Sequence, residues 1–229
     1  MIIIANGEIS HNVNETPPEE IVIAVDGGAL NCFQLGITPN VVIGDFDSLC
    51  QDDILKLEQS GTEMIRYPVN KDETDLELAL DYAVSKGVTE LTLLGLLGGR
   101  WDMSFANILL LSSSRYKDIH FHIIDGCNEM FILRSGETIK LNGVPGDIVS
   151  VIPLSNQTTG ITYSGLEWPL NRASLELGSP RGVSNRLTSE NARIQMDSGV
   201  LLIIVTHQES QLEENDRRGI PDLNNSRYG

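Results

Sequence analysis

Positive charge is scarce in this chain, where 16 Lys and Arg stand against 32 Asp and Glu in 229 residues and leave a formal net charge of −16. A nucleic acid or an anionic membrane surface needs a basic face to release counterions or meet headgroups, so neither is expected as a partner. An anionic substrate would need local cationic help. Cysteine is also sparse: Cys32, Cys50 and Cys127 are odd in number and form no close pair. That usage suits a reducing compartment and packing roles better than a disulfide framework. Long apolar runs are missing, with nothing near the ~18 residues of a membrane span. The N-terminal Met1-Ile2-Ile3-Ile4-Ala5 has neither the basic flank nor the apolar length of a signal peptide. The expected location is therefore the cytoplasm. The four histidines, His11, His120, His122 and His207, are scattered without metal-ligand spacing, and no internal repeat is present.

What the chain does have is 41% hydrophobic content, enough for one large core or two modest ones, and two domains are expected. Residues 1–127 alternate β-branched runs with helix-period segments. Strands are predicted over Ile2 to Ala5, Ile21 to Val25, Val41 to Ile43, Glu63 to Arg66, Glu90 to Leu94 and His120 to Ile124. Helices are predicted near Ala29 to Leu35, Asp52 to Gln59, Asp75 to Ser85 and Ser104 to Ser113. Such alternation predicts βαβ units and a mostly parallel α/β domain. The third helix carries the clearest pattern, with Leu76, Ala79, Leu80, Ala83 and Val84 on one face and Thr74 and Glu77 as a capping box. From about residue 128 the texture changes to short strands broken by Gly, Pro, Asn and Ser, with no convincing helix. Residues 128–207 read as an antiparallel sandwich or barrel-like domain, with Asp197-Ser198-Gly199 as a hairpin signal. Residues 208–229 are polar and are expected to form a mobile tail.

The chemistry gathers where the first domain's strands end, as open parallel sheets bind ligands at their carboxyl edge. Asp26-Gly27-Gly28 leaves a strand and enters a helix, a geometry that lets backbone N–H groups approach phosphate or simply turns the chain. Asp45 and Asp47 follow Val41-Val42-Ile43, and in continued extended geometry they would share one face ~7 Å apart. They would hold a divalent cation there, or cap turns. Asp72 and Asp75 stand three apart at a helix start, where acids also serve the helix dipole. Two carboxylates ~4 Å apart repel by roughly 4 kcal/mol at an effective dielectric of 20, and Mg²⁺ with substrate phosphates relieves that cost. Arg100, in Gly98-Gly99-Arg100-Trp101-Asp102, presents a planar fork suited to phosphate oxygens, or pairs with Asp102, itself placed to cap the next helix. Four such features on one sheet edge favour the cation and phosphate reading over repeated capping. Trp168, one of two tryptophans, lies in the second domain, where a core position is the ordinary expectation.

At these residues the sequence resembles the thiamine pyrophosphokinase (thiamine diphosphokinase) family. The matching segments, in order, are Asp26-Gly27-Gly28, Gly44-Asp45-Phe46-Asp47-Ser48, Lys71-Asp72-Glu73-Thr74-Asp75, Gly98-Gly99-Arg100-Trp101-Asp102 with Ala106-Asn107, Gly165-Leu166-Glu167-Trp168-Pro169-Leu170 and Gly182-Val183-Ser184-Asn185. The resemblance runs to about residue 206. It implies an N-terminal α/β ATP-binding catalytic domain, a C-terminal β-sandwich that binds thiamine and dimerises, and a homodimer with active sites between subunits. It implies Mg²⁺-dependent transfer of a pyrophosphoryl group from ATP to the thiamine hydroxyl, giving thiamine diphosphate and AMP. By motif, Asp45, Asp47 and Asp75 would hold Mg²⁺, and Asp26, Gly27, Gly28, Lys71 and Arg100 would surround the ATP phosphates. Asp102 would face thiamine, with Trp168, Ser184 and Asn185 supplied by the other subunit. Under this resemblance Trp168 is a stacking platform, because a flat cationic heterocycle gains area and cation–π attraction on an indole. Met103 departs from the family pattern, standing where many members carry histidine and removing the obvious imidazole base.

The expected reaction is in-line attack of the thiamine hydroxyl on the β-phosphorus, resting on positioning and charge neutralisation. Asp72 or Asp75 is the available proton acceptor, and the base stays unassigned between them. Two other functions fit part of the pattern. A pyrophosphokinase acting on a hydroxymethylpterin would have less use for Trp168, and a non-catalytic nucleotide or vitamin sensor would have none for so many acids.

Overall fold

The computed structural model describes residues 1–9 and 20–208. His11 and the predicted tail beyond Gln208 lie outside the described residues. The chain is mixed α/β and divides into two compact units, one from Met1 to Gly126 and the other from Cys127 on.

In the first unit, strands β1 (Ile2–Ile4), β2 (Val22–Val25), β3 (Val41–Gly44), β4 (Glu63–Arg66), β5 (Glu90–Leu94) and β6 (His120–Asp125) pair in the order β6-β5-β1-β2-β3-β4. Every one of these pairings is parallel. A sheet built this way is covered on both faces, and its inner strands accordingly read as continuous apolar runs. Ile2, Ile3, Ile4, Ile23, Val42 and Leu93 are fully or almost fully buried. β4, at the edge, is half-exposed, with the exposed Glu63 and Arg66 at its two ends. The connections are α1 (Gly28–Gln34), α2 (Gln51–Gln59), α3 (Asp75–Ser85) and α4 (Trp101–Ser112). α1 packs on β1 and β2, and α3 on β2 and β3, through its Leu76, Ala79, Leu80 and Ala83 stripe.

Two start signals come out differently from expectation. Thr74 does accept a hydrogen bond from the Glu77 N–H at 3.2 Å, but the Glu77 carboxylate accepts from Arg115 at 2.7 Å instead of returning to the cap. Arg115 also binds Asp81, so one guanidinium ties α3 to the short 3₁₀ turn Ser114–Tyr116. α4 begins at Trp101, three residues before the expected Ser104, and its N-cap is Arg100 without a side-chain cap. Asp102 therefore lies in the first turn, not at the cap.

The second unit has eight strands and, among its described residues, no helix: β7 (Asn128–Arg134), β8 (Thr138–Lys140), β9 (Ile148–Pro153), β10 (Gln157–Ser164), β11 (Ala173–Glu176), β12 (Asn185–Arg186), β13 (Arg193–Gln195) and β14 (Val200–Thr206). They form antiparallel runs β12-β9-β14-β7 and β11-β10-β13-β8. Phe131, Leu133, Val149, Val151, Leu201 and Ile203 from the first run share one core with Ile139, Ile161, Tyr163, Leu175 and Ile194 from the second. Asp197-Ser198-Gly199 is not a hairpin. β13 and β14 belong to different runs, and this segment instead bonds back to Thr159 through the Asp197 N–H at 2.9 Å while Thr159 donates to the Ser198 carbonyl at 2.9 Å.

Candidate active site

The strand order of the first unit reverses at β1, whose neighbours β2 and β5 lead the chain to opposite sides. Crevices open at the carboxyl ends of strands at such a switch point. A cleft of about 540 Å³ lies there, walled by Ala5–Glu8 after β1, Val25 and Asp26 after β2, Thr74–Leu76 at the start of α3, Gly95–Arg100 after β5, and Met103, Ser104 and Asn107 of α4. Buried amides shape its walls. Asn31 of α1 donates to the Ala5 and Gly7 carbonyls at 2.7 and 2.9 Å, and Asn107 donates to the Leu96 carbonyl at 2.9 Å. Gly28 has no side chain because a Cβ there would lie 2.1 Å from the Ile4 carbonyl oxygen.

Asp26, Asp45 and Asp47 offer carboxylate oxygens that all lie within 4.8 Å of one another. The extended geometry expected between Asp45 and Asp47 is broken at Phe46, whose φ of 67° folds the two acids toward each other. Phe46 is held in that conformation by burial and by the Arg66 guanidinium, 4.8 Å from its ring centre. The turn is then cross-linked: the Phe46 N–H donates to Asp26 Oδ1 at 3.1 Å, the Ser48 hydroxyl to Asp26 Oδ2 at 2.6 Å, and the Asp47 N–H to Asp45 Oδ1 at 3.0 Å. Asp26 itself takes a φ of 46°. The cluster is a set of hard oxygen donors of the kind a divalent cation such as Mg²⁺ accepts.

Asp75, expected beside Asp45 and Asp47, stands outside this cluster and pairs with Lys71 at 2.8 Å. Lys71 also donates to the Pro68 carbonyl at 3.3 Å, so its ammonium is directed to the loop before α3. Asp75 still lines the cleft; the exposed Asp72 does not. Asp26, expected near phosphate, is the third carboxylate of the cluster and also forms part of the cleft wall. Arg100 meets Asp102 through both arms of its fork, at 2.5 and 3.2 Å, and both side chains are largely exposed. The hydrogen bond from Arg100 holds the Asp102 carboxyl below the usual carboxylate range, and the same pairing raises the guanidinium further.

Trp168 is 54% exposed, so it is not a core residue of the second unit. Its backbone is gripped by Asn185, which accepts from the Trp168 N–H at 3.0 Å and donates to the Trp168 carbonyl at 2.7 Å. Asn185 is buried, and its amide shapes the loop that presents the indole. Ser184, with a φ of 62°, donates through its N–H to the Ser150 hydroxyl at 3.1 Å. Asn6 and Glu8, both exposed in the cleft, and Ser48, cross-linking the acids, were missed by the sequence reading. Applying the strand-end rule to the exit of β1 as well as β2, β3 and β5 would have found the first two.

The thiamin pyrophosphokinase catalytic domain model matches residues 14–123, and the thiamin pyrophosphokinase vitamin B1 binding domain model matches residues 137–201. The chain belongs to the thiamine pyrophosphokinase family. It is 31% identical over 189 residues to a thiamine pyrophosphokinase of Bacillus subtilis, covering 82% of this chain and 88% of that one. The crystal structure of thiamine pyrophosphokinase from Bacillus subtilis superposes with a TM-score of 0.78 at 29% identity, over 90% of this chain and 98% of the other. That from Geobacillus thermodenitrificans gives a TM-score of 0.75, also at 29% identity, over 92% and 99%. Among the described residues no helix is long and apolar enough to cross a membrane.

Proposed function

We propose that this chain is a thiamine pyrophosphokinase, transferring a pyrophosphoryl group from ATP to the thiamine hydroxyl and releasing AMP. The observation that carries the reading is Asp26, which belongs both to the carboxylate cluster and to the wall of the switch-point cleft in a member of this family. Asp26, Asp45 and Asp47 are the residues that would hold Mg²⁺. Bound there, the cation would neutralise phosphate oxygens as charge shifts during transfer. The chain's own part is positioning. Gly27 and Gly28 bring backbone close to the phosphates, and Arg100 turns its fork from Asp102 toward them. Water screens so exposed an ion pair and leaves it weak, so a polyphosphate carrying several charges displaces Asp102 readily. Asp102 is then free to face thiamine. Asp75 and Asp72 remain the candidates to take the hydroxyl proton, with Asp75 better placed because it lines the cleft. Lys71 reaches the phosphates only by leaving Asp75.

The first unit serves in this reading as the parallel α/β ATP-binding domain and the second as a β-sandwich that carries thiamine on Trp168, with Ser184 at its edge and Asn185 holding the loop. The assembly is a homodimer with active sites between subunits, working in the cytoplasm without nucleic-acid or membrane partners. Support for a second copy comes from α4, where Trp101, Phe105 and Leu109 follow one another at four-residue spacing and are 83%, 65% and 41% exposed. Apolar side chains aligned on one exposed helix face mark an interaction surface. The deciding measurement is AMP release with ATP and Mg²⁺, in the presence of thiamine, of a hydroxymethylpterin, or of neither. Release that requires thiamine is expected; release driven by the pterin, or none at all, would overturn the assignment.

A further inference from the structure

We propose that Ser48 is a positioning residue that sets the carboxylate cluster before the cation arrives, an inference that rests on reading Asp26, Asp45 and Asp47 as the Mg²⁺ site. The three acids come from two strand ends, Asp26 after β2 and Asp45 and Asp47 after β3, and like charges this close repel. Something must hold them. Phe46 N–H supplies one donor to Asp26 Oδ1, but it belongs to the backbone and no side-chain change removes it. Among the described residues, the one hydrogen bond between side chains that joins the two strand ends at this cluster runs from the Ser48 hydroxyl to Asp26 Oδ2 at 2.6 Å, and the same hydroxyl lies 3.2 Å from Asp47 Oδ1. A hydroxyl has one proton, and the shorter distance assigns it to Asp26. The Asp47 carboxylate, 3.2 Å away, is then left without this proton. Asp26 is aimed and partly shielded, while Asp47 keeps its full attraction for a cation. Groups that orient metal ligands in this way are typically worth about 10–100-fold in metal affinity.

Titration of the full chain with Mn²⁺ alone, followed by the loss of the free-ion paramagnetic signal, tests this on four proteins: wild type, Ser48→Ala, Ser48→Thr and Asp47→Asn. Ser48→Ala is expected to bind Mn²⁺ about 10–100-fold more weakly, and Ser48→Thr, which keeps the hydroxyl, close to wild type. In turnover, the Mg²⁺ concentration for half-activation should rise for Ser48→Ala by the same factor, with kcat at saturating Mg²⁺ close to wild type. A merely structural serine would not split the two quantities in this way. If Ser48→Ala binds Mn²⁺ like wild type while Asp47→Asn does not, the role of Ser48 is wrong and the cation site stands. Equal loss in Ser48→Ala and Ser48→Thr also overturns it, since the hydroxyl is then not the cause. If wild type and Asp47→Asn are indistinguishable, the cation reading fails and this inference with it.

Discussion

Gly44 ends β3 directly beneath Asp26, and a Cβ added there would lie 2.9 Å from the Asp26 Cβ. Neither atom is at the end of a flexible chain, so Gly44→Ala must move the strand end or the aspartate. The expected outcome is a protein with normal secondary structure by circular dichroism and turnover at fixed subsaturating Mg²⁺ lowered about 10-fold or more, through the orientation of a ligand. Wild-type turnover would mean that the cluster tolerates displacement and is not the reactive centre. Arg100 is a different case, because its contribution is geometric. Arg100→Lys keeps the charge but replaces a planar fork by a point charge on a flexible stem. It should lower kcat/KM for ATP about 10-fold or more while leaving stability unchanged, since the exposed Asp102 pair contributes little to folding. If Arg100→Ala matches wild type in steady-state kinetics, the guanidinium does no more than decorate the start of α4.

At the scale of elements, what was legible in the sequence is what local forces determine. β4, β5 and α3 have the ends expected of them because short apolar runs, a Thr74 cap and a 3.6-residue apolar stripe all act over a few residues. α4 was placed late because its Trp101, Phe105 and Leu109 face outward, so apolar periodicity did not mark its start. β8, β11 and β12 are two to four residues long and exist only through pairing with β13, β10 and β9, which no local signal announces. The acids follow the same rule. Asp45 and Asp47 were legible from one segment, whereas Asp26 joins them only because β2 and β3 are neighbours. His207 was passed over for lack of metal-ligand spacing, yet it locks the end of β14 to Asp147 at 2.9 Å and Glu129 at 3.1 Å. Burial alone would lower its pKa; the hydrogen bonds and charges of Glu129 and Asp147 outweigh that and raise it above the ordinary 6.5. A raised value means that the folded state holds the proton more tightly. The stabilisation is therefore complete below pH 6.5 and is lost as pH rises through the folded value. In urea unfolding, His207→Gln should be clearly less stable than wild type at pH 6 and approach it as pH rises. A gap independent of pH would mean that His207 contributes by packing alone.

At the scale of the whole molecule, the proposed sharing of a centre between two chains has a direct consequence for mixed dimers. The cleft and its acids belong to the first unit and Trp168 to the second, and α4 carries the exposed apolar stripe of Trp101, Phe105 and Leu109. Under the proposed homodimer, thiamine bound at one copy's cleft stacks on Trp168 of the other. Trp168→Ala should then weaken thiamine binding by roughly 1–3 kcal/mol, combining lost aromatic burial with cation–π attraction, while ATP binding changes far less. The Trp168 side chain is exposed and its loop is held through the backbone by Asn185, so removing the indole leaves the fold intact. Asp47→Asn removes a cation ligand charge without changing size and should lower turnover about 100-fold or more. The two lesions sit in different units, so a dimer of one Asp47→Asn chain and one Trp168→Ala chain holds one doubly damaged centre and one intact centre. Mixing the two variants, at a thiamine concentration where each is nearly inactive alone, should restore up to about half of the wild-type activity per heterodimer by this site count. Recovery should require subunit exchange, checked by mass measurement of differently tagged chains. Verified heterodimers without recovery would mean that each centre draws its acids and its indole from one and the same chain, and a Trp168→Ala chain active alone at low thiamine would mean that Trp168 takes no part in binding it.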